Sequence, residues 1–204
     1  MIYFLGKWLN PDAGFFSFLR LVDYLSARAI GAALTAIILT LFFTPVFIRY
    51  LHRRGLVDQC RDTGIASSFD KAGTPAMGGA IVTGCILVSC LLWCNLSNLY
   101  LLTVVVGMTW FGAIGLMDDL AKTRARSGNH GLSESKKLLL QASFAALLVA
   151  CLASPFSPLP PDQAATFYIP FLKTPLFISP WIYFPIVFFF VLVVGNSVNI
   201  TDGL

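Results

Sequence analysis

Two adjacent acidic residues, Asp118 and Asp119, carry the clearest chemical signal in this 204-residue chain. They follow an apolar stretch, residues 72–117, in which no side chain is charged. Acidic residues at the edge of a membrane segment are candidates for function. A bound Mg²⁺ would relieve their mutual repulsion, because it favours carboxylate oxygens and completes its shell with water or substrate phosphate. The alternative is that Asp118 pairs with Lys122 one helical turn later and that Asp119 is solvated.

A second candidate is the glycine-rich segment KAGTPAMGG, which runs from Lys71 to Gly79. Its glycines let the backbone approach a ligand closely, and the helix that follows offers free N–H groups. With the charge of Lys71, the segment could hold a phosphate. It could equally be an entry loop whose small residues help helices to pack.

Two further polar segments flank later apolar runs. The turn at residues 127–132 precedes a helix for which Ser133 could be the cap, and in which Lys137 and Gln141 would share a face. A solvated basic loop is the alternative for this turn. The second segment, GNSVNITDGL, ends the sequence, and its Asn199 and Asp202 are spaced to face one ligand on a helix.

The elements that position these segments follow from composition. The chain is 57% hydrophobic and 12% charged, whereas a soluble domain has about 25% charged residues. Its apolar runs do not alternate with polar residues as barrel strands would. We therefore predict an all-α polytopic membrane protein with one membrane domain, 1–204. A spanning helix needs about 20 apolar residues. Five spans are predicted, at about 29–48, 76–94, 99–117, 138–153 and 181–196.

The basic residues indicate the orientation. Most of them lie in two alternate loops, 49–75 and 118–137, which the positive-inside rule makes cytoplasmic, with the N-terminus outside. The proline-rich segment 154–180 is then an external loop, and its alternating apolar residues predict a short β-hairpin within 164–180. In this orientation every polar segment described above opens to the cytoplasmic side. Asp118 and Asp119 would stand at the C-terminal end of the third span.

Four motifs support a resemblance. The segments FDKAGTPAMGG, GAIGLMDDLAK, GLSESKKLLLQ and GNSVNITDGL occur between Phe69 and Leu204. Their order, spacing and position relative to the spans resemble the phospho-N-acetylmuramoyl-pentapeptide transferase family. This family belongs to the polyprenyl-phosphate N-acetylhexosamine-1-phosphate transferase superfamily. One such motif would be a weak signal, but four in order are a strong one.

The resemblance implies a reaction of bacterial peptidoglycan synthesis. Undecaprenyl phosphate would attack the β-phosphate of UDP-N-acetylmuramoyl-pentapeptide, releasing UMP and forming lipid I, with Mg²⁺ as cofactor. It implies the bacterial cytoplasmic (inner) membrane, an active site on its cytoplasmic face and a homodimer. No nucleic-acid partner is expected.

The resemblance also assigns roles to residues. It makes Asp118, Asp119 and Asp202 catalytic, with Asp118 and Asp119 as the Mg²⁺ ligands. One of the acids would take a proton from the lipid phosphate or serve the metal. The implied substrate-binding residues are Lys71, Thr74, Lys122, Lys137, Asn196 and Asn199.

The chain departs from the family pattern in two ways. Ala76 stands where the family usually has threonine, so a hydroxyl group is missing there. The family also continues past the position of Leu204 with another Asp-Gly, more spans, a further metal-binding Asp and a histidine-rich loop. We therefore expect an N-terminal part of such an enzyme, and we predict that this part alone is inactive.

Three other functions remain open at this point. A sister enzyme of the superfamily would transfer N-acetylglucosamine-1-phosphate to the same lipid. A transporter would use the acids as an ion relay, but such groups are expected near the bilayer midplane, whereas these acids lie at span ends. A non-catalytic membrane scaffold is the third alternative.

Overall fold

A computed structural model describes residues 1–8, 20–55, 77–124, 131–155, 157–160, 165–169 and 171–202. The described elements are α1 (Ile2–Trp8), α2 (Leu25–Arg53), α3 (Gly78–Trp93), α4 (Leu99–Arg124), α5 (Glu134–Ala153), β1 (Thr166–Phe167), β2 (Leu176–Phe177) and α6 (Pro180–Asp202). They fall into two compact units, Met1–Leu132 and Ser133–Leu204, each of which is described by itself.

Four helices of the described part are long and apolar enough to cross a membrane. They are α2, residues 99–123 of α4, α5, and residues 180–197 of α6. Their large apolar side chains face outward, as Leu41 and Phe42 at 71% exposure and Phe190 at 66% show. Such a surface suits lipid rather than water. The chain is therefore an all-α polytopic membrane protein, as predicted.

The predicted spans all coincide with helices, but the helix bounds differ from the span bounds. The predicted second span, 76–94, corresponds to α3, which has 16 residues and is shorter than the length of about 20 that crosses a bilayer. Pro45 lies inside α2, and the helix continues past it to Arg53. Membrane helices tolerate an internal proline because neighbouring groups satisfy the freed carbonyl.

In the first unit, α2 and α3 pack closely because small residues line their contact. A Cβ atom added to Gly31 would stand 2.8 Å from the ring of Trp93. The indole N–H of Trp93 donates to the Thr35 hydroxyl at 2.9 Å, and the Ser89 hydroxyl donates to the carbonyl of Ala32 at 2.5 Å. Such close, hydrogen-bonded packing replaces the hydrophobic effect between helices that lipid surrounds.

The connection between α3 and α4 is a tight turn at residues 95–98. The N–H of Asn98 donates to the carbonyl of Asn95 at 3.1 Å. The side-chain oxygen of Asn98 then accepts from the N–H groups of Tyr100 at 2.9 Å and Leu101 at 3.4 Å. Asn98 thus caps α4 and fixes where the helix that carries the acids begins.

In the second unit, α5 and α6 pack against each other, and the segment between them contains the predicted β-hairpin. Its two strands are antiparallel, with Thr166 opposite Phe177 and Phe167 opposite Leu176. The ring of Phe167 also meets that of Tyr183 edge-on at 5.3 Å, so the strands rest against the first turns of α6. The hairpin prediction is confirmed.

Candidate functional site

The two acids lie within α4 rather than at its end. The helix continues through Arg124, more than one turn beyond Asp118 and Asp119. They were expected at or near the C-terminal end of a helix, and they lie one to two turns before the last residue of α4. The dipole of a helix acts mainly within its last turn, so it adds little to their repulsion.

Adjacent positions on an α-helix point about 100° apart, so the two carboxylates face different surroundings. The Asp118 side chain is 11% exposed, and the Asp119 side chain is 37% exposed. Asp118 therefore faces protein, whereas Asp119 is the acid that a ligand reaches more readily.

The carboxylate of Asp118 has a partner at each oxygen. Its Oδ2 lies 2.7 Å from the ammonium of Lys122, and its Oδ1 accepts the backbone N–H of Leu132 at 2.9 Å. Lys122 also lies 3.7 Å from Oδ1 of Asp119. The pairing of Asp118 with Lys122, which the spacing allowed as the alternative to metal binding, is thus present. A charge-assisted contact at each oxygen offsets the cost of burying the carboxylate.

Gly131 is part of the same cluster. A Cβ atom added to Gly131 would overlap Oδ1 of Asp118 and would stand 3.1 Å from Cε of Lys122. The sequence identified residues 127–132 only as a turn or a solvated loop. The contact of Gly131 and Leu132 with Asp118 was missed, and the one signal for it was a glycine placed just before the helix cap Ser133.

The second unit contains another buried polar contact, between α5 and α6. The side-chain amide of Asn196 donates to Oε1 of Gln141 at 2.7 Å and to the carbonyl of Leu192 at 2.8 Å. Gln141 is only 5% exposed. Asn196, predicted to bind substrate, therefore holds two helices together. Lys137 lies half-buried on α5 one turn before Gln141, as the predicted spacing requires.

The structure describes the other predicted site residues only in part. Lys71 and Thr74 lie outside the described residues. Asn199 and Asp202 belong to α6, which continues to Asp202, past the predicted span end at 196. Their side chains lie outside the described part. Ser133 occupies the predicted cap position of α5, without a side-chain hydrogen bond to the helix.

The acid pair has the donor chemistry that Mg²⁺ uses. Among the described residues, no group of three or more His, Cys, Asp or Glu side chains could hold a metal. Mg²⁺ often binds through one or two carboxylates, with water and substrate phosphate as its other ligands. Asp118 and Asp119 fit that pattern, with Asp119 the more accessible donor.

Comparison with known proteins gives the family. The sequence profile of glycosyl transferase family 4 matches residues 101–204, which is just over half of the chain and includes both polar contacts described above. The chain belongs to glycosyl transferase family 4. The matched region contains all but the first two residues of α4, all of α5 and α6, and Asp118, Asp119 and Lys122.

Members of the family with curated names match nearly the whole chain. It is similar to the phospho-N-acetylmuramoyl-pentapeptide-transferase of Solidesulfovibrio magneticus, at 38% identity over 100% of this chain and 54% of that protein. The enzyme of the same name from Sorangium cellulosum is 35% identical over 100% of this chain and 56% of its own length. That of Desulfovibrio desulfuricans is 35% identical over 97% and 53%. The chain thus spans about half the length of these relatives.

Proposed function

We propose that the protein transfers phospho-N-acetylmuramoyl-pentapeptide from its UDP-linked donor to undecaprenyl phosphate in the bacterial cytoplasmic membrane. The products are lipid I and UMP. The observation that carries this proposal is the cluster of Asp118, Asp119 and Lys122 on a membrane-spanning helix. The similarity to relatives that bear the name of this transferase supports it.

The proposed reaction is a phosphoryl transfer between the two substrates. An oxygen of the lipid phosphate forms a bond to the β-phosphorus of the donor, and the bond from that phosphorus to the oxygen of UMP breaks. Both reactants are anionic, so the protein must hold them in line and offset their charge. Lys122 is 27% exposed and lies beside both acids, so it can turn towards a phosphate without leaving the cluster.

The two acids would have different roles. Asp119, the more exposed carboxylate, faces an arriving ligand, whereas Asp118 keeps Lys122 in place through the contact at 2.7 Å. When bound to these carboxylates, Mg²⁺ would neutralise phosphate charge. Asp119 would then bind the metal with less rearrangement of neighbouring side chains than Asp118, because its side chain is more exposed.

The remaining site residues are assigned by the same proposal. Lys71, Thr74 and Lys137 would contact phosphate groups, and Asn199 and Asp202 would hold the nucleotide or the transition state. Asn196 would act by keeping α5 and α6 together rather than by touching substrate. The active site would open to the cytoplasm, and the protein would form a homodimer.

The test is UMP release by the whole protein in lipid vesicles, with the muramoyl-pentapeptide donor and undecaprenyl phosphate. We expect Asp118→Asn and Asp119→Asn each to lower the rate at least about a hundredfold, as losses of acid–base groups commonly do. Asp23→Asn, which changes an exposed acid of the first unit, is the matched control and should leave the rate unchanged. Turnover retained in both acid variants would remove the pair from the mechanism. Release of UMP from UDP-N-acetylglucosamine instead would assign the sister reaction.

A further inference from the structure

Gly131 stands where the chain passes closest to the buried carboxylate of Asp118. The space that a side chain would need at this position is occupied by Oδ1 of Asp118. The next residue, Leu132, donates its backbone N–H to that same oxygen at 2.9 Å. The close approach at position 131 therefore allows the hydrogen bond at position 132.

The glycine is needed for space and not for its backbone conformation. Among the described glycines, Gly55 has a positive φ and Gly131 does not. A negative φ is the range that L-residues adopt, so φ alone does not require glycine at position 131. The difference between glycine and alanine at this position is thus the volume of one methyl group beside a carboxylate.

The three atoms nearest to such a methyl group belong to side chains. They are Oδ1 and Cγ of Asp118 and Cε of Lys122. Side-chain ends move at lower cost than backbone, so the fold can accommodate an alanine. The carboxylate of Asp118 must then rotate, which breaks its bond to Leu132 and shifts its contact with Lys122.

We propose that Gly131 is a positioning residue for Asp118. By leaving room for the carboxylate, it lets the Leu132 N–H hold one oxygen while Lys122 holds the other. The orientation of the acid is thereby set by the turn that precedes α5, as well as by α4 itself. The consequence for catalysis rests on the function proposed above, whereas the consequence for the geometry of Asp118 does not.

The first experiment measures hydrogen exchange at the amide of Leu132 in the whole protein in lipid nanodiscs. We expect Gly131→Ala to accelerate this exchange about tenfold or more, as expected for the loss of a hydrogen bond to a charged group. Gly115→Ala is the matched control on α4, since a Cβ atom there meets nothing within 4 Å, and it should leave the exchange rate unchanged. Exchange at Leu132 that is equal in Gly131→Ala and in the wild type would overturn the proposal.

A double-mutant cycle keeps the proposal falsifiable if Gly131→Ala folds poorly. Asp118→Ala removes the oxygen that the new methyl group would meet. Gly131→Ala should therefore lower the melting temperature in the native background and leave it unchanged or raise it in the Asp118→Ala background. Equal losses in the two backgrounds would show that Gly131 acts elsewhere.

The kinetic readout separates positioning from general damage. Gly131→Ala should lower kcat for UMP release and leave KM for the donor nearly unchanged, because Asp118 would contribute to the chemical step by positioning Lys122. A rise in KM with unchanged kcat would contradict this role. If the protein releases no UMP at all, the proposed function fails, but the exchange and melting results still decide the role of Gly131.

Discussion

Asp118 on α4 and Asn196 on α6 are both polar side chains on helices that pass through lipid, but they are satisfied in different ways. Asp118 is charged, and it meets a lysine one turn along its own helix and a backbone N–H from the turn at 131–132. Asn196 is neutral, and it meets Gln141 on the neighbouring helix and a carbonyl of its own helix.

The difference separates a charged group, which is a candidate for the proposed reaction, from a neutral group that joins two helices. A carboxylate is costly to bury without a cation, and Lys122 supplies one at 2.7 Å from Asp118. A pair of amides needs no charge to be satisfied, so it can join two helices without creating a reactive centre. Charged and neutral polar contacts should therefore respond differently to substitution.

The largest effect on stability is expected at Lys122. Lys122→Met removes the ammonium group that lies 2.7 Å from the carboxylate of Asp118, and we expect a loss of about 3 kcal/mol, the low end for a broken buried pair because Lys122 is 27% exposed. Denaturant unfolding in detergent measures it. Lys136→Met removes an exposed lysine in the first turn of α5 and should change stability by less than about 0.5 kcal/mol. If the two variants are equally stable, the ion pair at Asp118 contributes nothing.

A smaller effect on stability is expected at the close contact between Gly31 and Trp93, which carries no charge. Gly31→Ala places a methyl group 2.8 Å from the ring of Trp93, and we expect a loss of about 2 kcal/mol from overpacking. Gly84→Ala on α3 is the control, because its Cβ atom would meet nothing within 4 Å. A loss of the same size in Gly84→Ala would mean that an added methyl group destabilises the helix wherever it is placed, and not through the contact with Trp93.

The smallest effect is expected at the amide pair. Gln141→Leu removes one acceptor of Asn196, which keeps its bond to Leu192, so we expect a loss of about 1 kcal/mol. Adding Asn196→Leu should restore part of the lost stability, because replacing both partners by apolar side chains leaves no buried polar group of the pair unsatisfied. Unfolding of the single and double variants measures the coupling, and strictly additive losses would show that the pair contributes no specific energy.

Hydropathy and spacing predicted much of this fold. Apolar length gave the positions of the helices, prolines and alternation gave the hairpin at 164–180, and the four-residue spacing gave the contact of Asp118 with Lys122. Each of these features is local in sequence. Local rules apply to them because a helix or a short hairpin is determined mainly by its own residues.

The ends of the helices were harder to predict. Hydropathy falls at Asp118, but Leu120, Ala121 and Lys122 favour a helix, so α4 continues to Arg124. The end of an apolar run marks where the lipid ends, and it does not mark where the helix ends. The same reason explains why α6 continues past residue 196 to Asp202.

The contacts between distant residues could not be predicted. Asn196 and Gln141 are 55 residues apart, and Leu132 reaches Asp118 across a turn. A single sequence does not show which polar groups will meet, since that depends on how the helices pack. The roles assigned to the predicted site residues, with Lys71, Thr74, Asn199 and Asp202 among them, stay predictions.

The continuation of α4 through Arg124 has a mechanical consequence. Asp118 and Asp119 belong to the same rigid rod as the segment that crosses the membrane. The helix is unbroken between them and that segment, so we expect the pair to move together with it. The height of these carboxylates above the apolar part of α4 is thereby fixed, which agrees with the lipid-phosphate acceptor proposed above.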